Sequence, residues 1–238
     1  MLILALDSST DVVTVAVARA EEDAPNGGQE VLAEISVPSR GASETLLPAA
    51  HAALDLAGAD LGEVERILAG VGPGTFTGIR IALAAARALA LATGAALSKN
   101  STLNALAAPA SLGARDPDVL AVLDAKRRQV FAQHFAGDEA NGEILCVTPG
   151  ELAAQLPLRE EFREKGMLLV GDGAVRYREA LSGLGRIPAD ASPLHRVTAT
   201  GHMLSADLAP VPASEVVPLY VREPDAEVRR DLNPWSRS

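Results

Sequence analysis

The sequence predicts an α/β fold, in which buried strands alternate with amphipathic helices. Short apolar and β-branched runs bounded by turn residues predict strands, and longer segments with a 3.6-residue apolar period predict helices. Apolar residues make up 48% of the 238 residues and aromatic residues only 3%, so alanine and branched aliphatic side chains must pack the core. A strand, an acidic turn and a return strand occur in each half of the chain, which predicts an internal repeat.

The first half is predicted to open with a β-hairpin. Residues 2–6 are continuously apolar and end at the polar turn Asp7-Ser8-Ser9-Thr10, after which residues 12–18 return as a strand rich in β-branched side chains. We expect Pro48 to lie in the first turns of a helix, where a missing N–H costs least. The other predicted elements are a loop over 21–30, a strand over 31–37, a helix from Ser43 or Thr45 to Leu56, a short element over 61–64, a strand over 66–71 and a helix over 79–93 that ends at Gly94.

The second half repeats part of this pattern. Its predicted elements are a helix over 103–108, strands over 119–123, 129–135 and 167–170, and helices over 177–184 and 198–209. We place the boundary between two lobes near Ser101, which gives a first lobe of residues 1–101 and a second lobe of residues 102–222. The helix over 198–209 is a candidate for crossing back to the first lobe. The charged tail of residues 223–238 has few apolar side chains and is expected to be mobile.

The charge and the cysteine content limit the class of protein. The net charge is −10, and the basic runs are Lys126-Arg127-Arg128 and Arg229-Arg230, which argues against a protein that grips nucleic acid by itself. If RNA is involved, we expect another subunit to hold it. Cys146 is the only cysteine, which excludes an intrachain disulfide and fits a reducing compartment. The apolar N-terminal run is too short for a signal peptide, and residues 79–93 contain two arginines and fall short of a membrane span. We therefore expect a soluble cytoplasmic protein without membrane contact.

The most informative segment is rich in glycine and reads GVGPGTFTGIRIALA over residues 70–84. Its glycines permit close approaches that a side chain would block, and the loop opens into a helix whose free N–H groups favour an anion. Two interpretations stay open, a phosphate or carboxylate cradle and a tight strand-to-helix turn. A Walker loop is excluded because the terminal Gly-Lys-Ser/Thr is missing. The candidate binding residues are Gly72, Gly74, Thr75, Thr77 and Gly78.

Two acidic turns are further candidates for phosphate binding. In LDSST, residues 6–10, Asp7 ends a buried strand and is followed by hydroxyl side chains that together with it could hold a magnesium-bound phosphate. In DAKRRQVF, residues 124–131, Asp124 has the matching place in the second half. Each segment taken alone is more simply explained as a polar turn. Gly171-Asp172-Gly173 is the candidate for an adenosine-binding turn, with a plain turn as the alternative.

The sequence predicts neither a metal centre nor a catalytic serine. No two of its histidines lie four residues apart, the spacing at which two imidazoles on one helix share a metal. These histidines are His51, His134, His195 and His202. No pattern couples Ser8, Ser9 or Ser43 to a histidine and an aspartate, so the sequence shows no catalytic triad that would support a peptidase. Cys146 has no activating neighbour in the sequence and is expected to pack as a small apolar residue.

Taken together and in order, these segments resemble the TsaB (YeaZ) family of bacterial tRNA-modification proteins. The resemblance covers most of the chain, although Ala42 stands where the family usually has histidine and Phe131 where it usually has tyrosine, so no polar role is expected at either position. It implies the two-lobed fold of the actin, Hsp70 and sugar-kinase (ASKHA) superfamily, with mixed, ribonuclease H-like sheets flanked by helices. The segments that carry it are ILALDSST (3–10), ASETLLP (42–48), GVGPGTFTGIRIALA (70–84), STL (101–103), DAKRRQVF (124–131) and PLYVR (218–222).

The same resemblance implies an accessory, non-catalytic subunit. It implies pairing with a TsaD-like subunit that transfers a threonylcarbamoyl group from threonylcarbamoyl-adenylate to the adenosine next to the anticodon of tRNA. A TsaE-like ATPase is the third implied partner, and tRNA is met only through the complex. We expect no cofactor in the isolated subunit, whereas ATP or ADP and magnesium are candidates in the complex.

Two helices carry apolar surface that is a candidate for binding the partner subunit. The helix over 79–93 is apolar nearly all round, so part of its surface must pack on something other than the sheet. Two such helices from each of two subunits would close a four-helix interface, or a homodimer without the partner, the alternative being burial within one chain. The residues expected there are Leu46, Leu47, Ala50, Leu54, Arg80, Leu83, Ala85 and Arg87. The rival function is a free-standing ATPase or small-molecule kinase of the superfamily, with Asp7 holding magnesium-nucleotide.

Overall fold

Two five-stranded sheets, flanked by helices, form the computed structural model of this chain. The structure describes residues 1–20, 28–39, 41–112, 118–156 and 167–222. The predicted α/β class is therefore confirmed, and each sheet comes from one half of the chain. The predicted mobile tail, residues 223–238, lies outside the described residues, as does most of the predicted loop over 21–30.

The first sheet has the order β3-β2-β1-β4-β5, with β1, β2 and β3 antiparallel and β4 and β5 parallel to β1. Its central strand is buried on both faces, which explains the unbroken apolar run at the start of the sequence. The strands are β1 (Leu2–Asp7), β2 (Val12–Ala20), β3 (Gln29–Pro38), β4 (Arg66–Gly70) and β5 (Ala96–Asn100).

The second sheet repeats this topology strand for strand. Its order is β10-β9-β6-β7-β8, with β6, β7 and β8 antiparallel and β9 and β10 parallel to β6. The repeat predicted from the two acidic hairpins thus extends to the whole sheet. The strands are β6 (Asp118–Asp124), β7 (Val130–Ala136), β8 (Glu139–Val147), β9 (Met167–Val170) and β10 (Gly185–Arg186).

Seven α-helices lie in the described residues, and local chemistry explains their ends. The Thr75 hydroxyl accepts a hydrogen bond from the Gly78 N–H at the start of the longest helix, and Gly94, with a φ of 77°, ends it. Thr148 and Glu151 form a capping box at another helix start. The helices are α1 (Ala42–Ala57), α2 (Phe76–Thr93), α3 (Thr102–Leu112), α4 (Pro149–Gln155), α5 (Asp172–Arg176), α6 (Arg178–Leu181) and α7 (Ala199–Ser205).

The two faces of the first sheet carry different helices. Leu2, Leu4 and Leu6 of β1 point into a core shared with α1 and α2, and the alternate residues Ile3 and Ala5 pack against α7. The helix α3, which follows the first sheet in sequence, packs instead on the second sheet. The helix α7, which follows the second sheet in sequence, thus contributes to the core of the first lobe.

The helices α3 and α7 lie against each other between the two sheets. Their close approach requires glycine at position 201, since a Cβ atom there would lie 2.2 Å from the Ala105 carbonyl oxygen. The two lobes are thus joined on this side by a buried helix pair.

Several predicted elements differ from the structure. The strands β5, β8 and β10 and the helix α4 were not predicted, because they are short or carry charged residues on an exposed face. The predicted helix over 177–184 is a single α-helical turn that continues as a 3-10 turn, and the predicted helix over 198–209 ends at Ser205. Ala206 has an extended backbone conformation, which ends the helix four residues before Pro210. Pro48 lies in the second turn of α1, beyond the four N–H groups at the helix start that lack a partner within the helix.

Candidate functional site

The glycine-rich loop packs directly on the turn that follows β1. A Cβ atom at Gly74 would lie 2.2 Å from the Ser9 carbonyl oxygen, and one at Gly78 would lie 1.9 Å from the Ser8 carbonyl oxygen. The Thr75 N–H donates to the Ser9 carbonyl at 2.6 Å. The first turn of α2 therefore binds the chain's own backbone, and the close packing explains both glycines without a bound anion.

The hydroxyl groups of the turn between β1 and β2 also form hydrogen bonds within the chain. Ser8 and Ser9 are buried, and the Ser8 hydroxyl donates to the Gly78 carbonyl at 2.8 Å. The Thr10 hydroxyl lies 3.2 Å from the Val12 N–H of its own turn. Of the candidate residues in the loop, Gly72 is buried with a φ of 101°, and Thr77 is exposed.

Asp7 is enclosed in a buried polar network. Its side chain is 1% exposed, and its Oδ2 atom lies 2.7 Å from Nε2 of His202, which is fully buried in α7. The Thr102 hydroxyl donates to the same oxygen at 3.2 Å, and the Ser9 N–H donates to Oδ1. Burial favours the protonated acid, but the hydrogen bond and charge of His202, with the Ser9 N–H, hold the pKa of Asp7 below its usual value.

This network was not predicted, and it corrects the role expected for Asp7. This carboxylate is 1% exposed and already binds an imidazole, a hydroxyl and a backbone N–H, so the network would have to open before a magnesium-bound phosphate could reach it. For His202 the sequence predicted only that it shares no metal with another histidine of its helix. Its sequence neighbourhood gives no signal for the pairing, because 195 positions separate it from Asp7. Asn100 completes the network by donating to the His202 carbonyl at 3.2 Å.

Asp124, the matching residue of the second half, is also bound by its own chain. Its side chain is 3% exposed, and its Oδ2 atom lies 3.3 Å from Nη1 of Arg176 and 3.4 Å from Nζ of Lys126. The Lys126 N–H and the Tyr177 hydroxyl donate to Oδ1 at 3.1 Å and 3.4 Å. Two cations and two neutral donors therefore occupy the carboxylate that was predicted to face a phosphate.

A cleft of about 330 Å³ lies beside Asp124. Its base includes Asp172, whose Oδ1 atom accepts from the Asp124 N–H at 3.0 Å, and burial together with the charge of Asp124 raises the pKa of Asp172. The neighbouring Gly171 N–H donates to Nδ1 of His195 at 3.2 Å. The segment predicted as an adenosine-binding turn is the start of α5, and its two glycines pack against the end of β6. The lining residues are Asp11, Asp124, Lys126, Asp172, Val175, Arg176, Asp190, His195 and Arg196.

The helices α1 and α2 show which candidate interface residues are accessible. Four of them lie in the first core and cannot contact a partner in this conformation, namely Leu46, Ala50, Leu54 and Leu83. Leu47 is 49% exposed, and Ala85 is half-buried against the core. Leu56 and Leu91, which were not predicted, are 72% and 89% exposed, so an apolar surface does remain on both helices.

The two predicted interface arginines bind a C-terminal strap, residues 211–222, which runs along α2. The Arg87 guanidinium donates to the Val216 carbonyl at 2.7 Å. The Arg80 Nε donates to the Tyr220 hydroxyl at 2.9 Å, and its guanidinium lies 3.6 Å above the Phe76 ring. Phe76 and Tyr220 stack with ring centroids 5.2 Å apart. The strap therefore covers part of the helix face that was expected to meet a partner.

Two further features of the described residues concern metal ions and membranes. These residues contain no group of three or more His, Cys, Asp or Glu side chains arranged to hold a metal ion. In the same part of the chain, α2 alone is long and apolar enough to cross a membrane by length and composition, with a mean hydropathy of 1.4 and a third of its residues buried. Core helices of soluble proteins pass the same test, so this finding marks α2 as apolar and no more.

Comparison with known proteins identifies relatives over most of the chain. A family model described as TsaD, tRNA N6-adenosine threonylcarbamoyltransferase, matches residues 31–160. The chain is 30% identical over 226 residues to an uncharacterized protein of Mycobacterium tuberculosis, covering 94% of this chain and 93% of that one. It is 30% identical over 190 residues to the tRNA threonylcarbamoyladenosine biosynthesis protein TsaB of Bacillus subtilis, covering 76% of this chain and 75% of that protein.

The fold has a close counterpart among solved structures. YeaZ from Pseudomonas aeruginosa superimposes with a TM-score of 0.71 at 24% identity, covering 92% of this chain and 99% of that chain. This likeness, together with the duplicated sheet, confirms the predicted ASKHA fold. The sequence resemblance is confirmed with it, since the match to the Bacillus subtilis protein includes three quarters of both chains. The chain therefore belongs to the TsaB (YeaZ) family of tRNA threonylcarbamoyladenosine biosynthesis proteins.

Proposed function

We propose that this chain is the accessory subunit of a threonylcarbamoyladenosine-forming complex, and that it acts by binding and positioning a TsaD-like catalytic subunit. Its family membership supports a complex that contains TsaD. The observation that carries the proposal is the apolar surface of α1 and α2, on which Leu47, Leu56 and Leu91 remain exposed. Large apolar side chains that stay exposed on two helices in contact are candidates for a protein interface.

The state of the two acidic residues supports a non-catalytic role. A free-standing ATPase or kinase of this fold would need carboxylates that are free to hold a magnesium ion bound to the phosphate. Here Asp7 is bound by His202 and Asp124 by Lys126 and Arg176. The rival function, a free-standing ATPase or small-molecule kinase, would require both groups to be released. The geometry therefore favours the accessory role.

The remaining partners belong to the same proposal. The transferred group would reach the adenosine next to the anticodon through the catalytic subunit, and tRNA would be met only in the complex. A TsaE-like ATPase would supply ATP and magnesium, while the isolated chain would hold neither. The complex would work in the cytoplasm, and this chain would form a homodimer through α1 and α2 when no partner is present.

The test is to mix the chain with a TsaD-like protein of the same organism and measure the complex by size-exclusion chromatography with light scattering. We expect Leu47→Asp and Leu91→Asp each to weaken the complex by at least about 30-fold, since an interfacial hot spot contributes about 2 kcal/mol or more. Ala85→Asp is a poor test, because Ala85 packs against the core and its loss would disturb folding.

Matched controls exist on other helices. Leu204 of α7 is 48% exposed, against 49% for Leu47, and Leu112 of α3 is 70% exposed. Leu204→Asp and Leu112→Asp should bind the partner as the unmodified chain does. If the controls and the α1 and α2 variants bind equally well, the interface lies elsewhere. If the unmodified chain forms no complex and hydrolyses ATP by itself, the rival function is correct.

A further inference from the structure

Five exposed cations of the second lobe collect at one end of its sheet, around the cleft of about 330 Å³. Three of them line the cleft, and the other two follow in the turn between β6 and β7. These five residues form a basic rim, which consists of Lys126, Arg127, Arg128, Arg176 and Arg196.

Acidic residues lie at the opposite end of the same sheet. Asp118 begins β6, and Glu139 begins β8 next to Ala136, where β7 ends. Asp138 lies in the turn between these two strands. Charge is therefore separated along the strands, so that a chain with a net charge of −10 has a locally basic surface at the cleft.

The aspartates near the rim do not cancel its charge. Asp11, Asp124 and Asp190 are each paired with a cation, and the Asp172 carboxylate accepts from the Asp124 N–H at 3.0 Å. With Arg178, which binds Asp190, six cations face these four aspartates. The ion pairs are Lys126–Asp11, Lys126–Asp124, Arg176–Asp124 and Arg178–Asp190.

Two guanidinium groups of the rim stay available. In the described part of the chain, neither Arg128 nor Arg196 forms an ion pair or a side-chain hydrogen bond. A planar guanidinium fork matches the oxygen atoms of a phosphate group. The rim therefore offers two unpaired groups that suit phosphate, beside three cations that raise the local potential.

The backbone holds the cations of the β6–β7 turn together. Lys126, Arg127 and Arg128 have φ values of 61°, 51° and 63°, a left-handed run that residues with a Cβ atom seldom adopt. The Ala125 N–H donates to the Gln129 carbonyl at 3.0 Å and closes the turn. Three successive basic side chains are thus presented from one short, hydrogen-bonded turn.

The C-terminal strap places the rim beside the surface proposed to bind the catalytic subunit. Nη1 of Arg222 donates to the Ala125 carbonyl at 3.2 Å, and two residues earlier the Tyr220 hydroxyl binds Arg80 of α2. The end of the strap therefore connects α2 to the β6–β7 turn. An RNA held by a subunit on α1 and α2 would lie close to the rim.

We propose that the basic rim contacts backbone phosphates of tRNA when this chain is bound to its catalytic subunit, with Arg128 and Arg196 making the contacts. This inference rests on the proposed function, since the net charge of −10 argues against tRNA binding by the isolated chain. Phosphate contacts orient a nucleic acid and carry no sequence information. The rim would thus position the tRNA, while the catalytic subunit recognises the adenosine.

The test measures tRNA binding to the complex of this chain with a TsaD-like protein of the same organism. Fluorescence anisotropy of a labelled, unmodified tRNA gives the dissociation constant over a series of sodium chloride concentrations. Arg128→Gln and Arg196→Gln should each weaken binding by about 3- to 10-fold and lower the slope of log K against log salt by about 0.7–0.9. The two effects should multiply in the double variant.

Arg19→Gln is the matched control, because it removes the same charge from an exposed arginine of β2 that pairs with Leu2, at the far end of the first sheet from Asp7. It should bind tRNA as the unmodified chain does, and light scattering checks that every variant still forms the complex. The inference alone is overturned if the double variant forms the complex and binds tRNA normally, or if Arg19→Gln weakens binding equally. Loss of the complex in the rim variants would mean that the rim binds the protein partner instead. If the unmodified chain forms no complex, the proposed function is wrong and this inference falls with it.

Discussion

Replacing His202 by leucine tests whether the buried pair with Asp7 stabilises the fold. The change leaves a carboxylate that is 1% exposed without its closest partner, which lies at 2.7 Å. Removing the partner of a buried carboxylate costs about 3–5 kcal/mol, because the charge that remains is buried without its hydrogen bond. For a chain of this size, such a loss lowers the melting temperature by about 6–20 °C. The measurement is urea unfolding at pH 7, followed by circular dichroism.

The companion change Asp7→Asn makes this experiment decisive. Asparagine keeps the shape and removes the charge, so His202→Leu should cost far less in an Asp7→Asn background than alone. We expect a coupling free energy of about 2 kcal/mol or more between the two positions. Additive effects, or a loss below about 1 kcal/mol for His202→Leu, would refute the argument that the pair carries this stability.

The pKa of Asp7 gives the same experiment a pH dependence. The group's pKa is lowered in the folded chain, so its contribution is complete above the unfolded value of about 3.9 and is lost as pH falls toward the folded value. The stability difference between the unmodified chain and Asp7→Asn should therefore shrink below about pH 4. A difference that grows in acid would contradict the assigned direction.

Three further predictions concern the loop, the helix start and the cleft. Gly78→Ala should lower the free energy of unfolding by about 1–3 kcal/mol, because its Cβ would lie 1.9 Å from the Ser8 carbonyl oxygen. The control Gly62→Ala, whose added Cβ would have no atom within 4 Å, should change the stability little, and thermal melts of both variants measure the difference. Thr75→Ala should cost about 1 kcal/mol by removing the N-cap of α2, and Thr75→Ser should restore most of it, as measured by urea unfolding. Asp172→Asn should raise the melting temperature at neutral pH and not in acid. The pKa of Asp172 is raised in the folded chain, so its ionisation destabilises the fold as pH rises through that pKa. An equal effect of the substitution at both pH values would contradict this reasoning.

Local patterns in the sequence determined much of this protein. The apolar run ending at Asp7, the β-branched return strand and the glycine-rich segment placed the first hairpin and α2 to within a few residues. The acidic hairpins revealed the repeat, and the combined motifs identified the family. Each of these signals lies within a short stretch of chain, where periodicity and turn chemistry act directly.

Only the tertiary structure decided what the predicted site residues do. Asp7 and His202 lie 195 positions apart, and Lys126 reaches Asp11 from 115 positions away, so no local pattern could indicate either contact. The glycines of the loop were compatible with an anion or with close packing, and the Ser8 carbonyl against Gly78 explains them by packing. Which face of α1 and α2 stays exposed was likewise set by the sheet beneath them, since burial depends on what folds against a helix and not on its own apolar content.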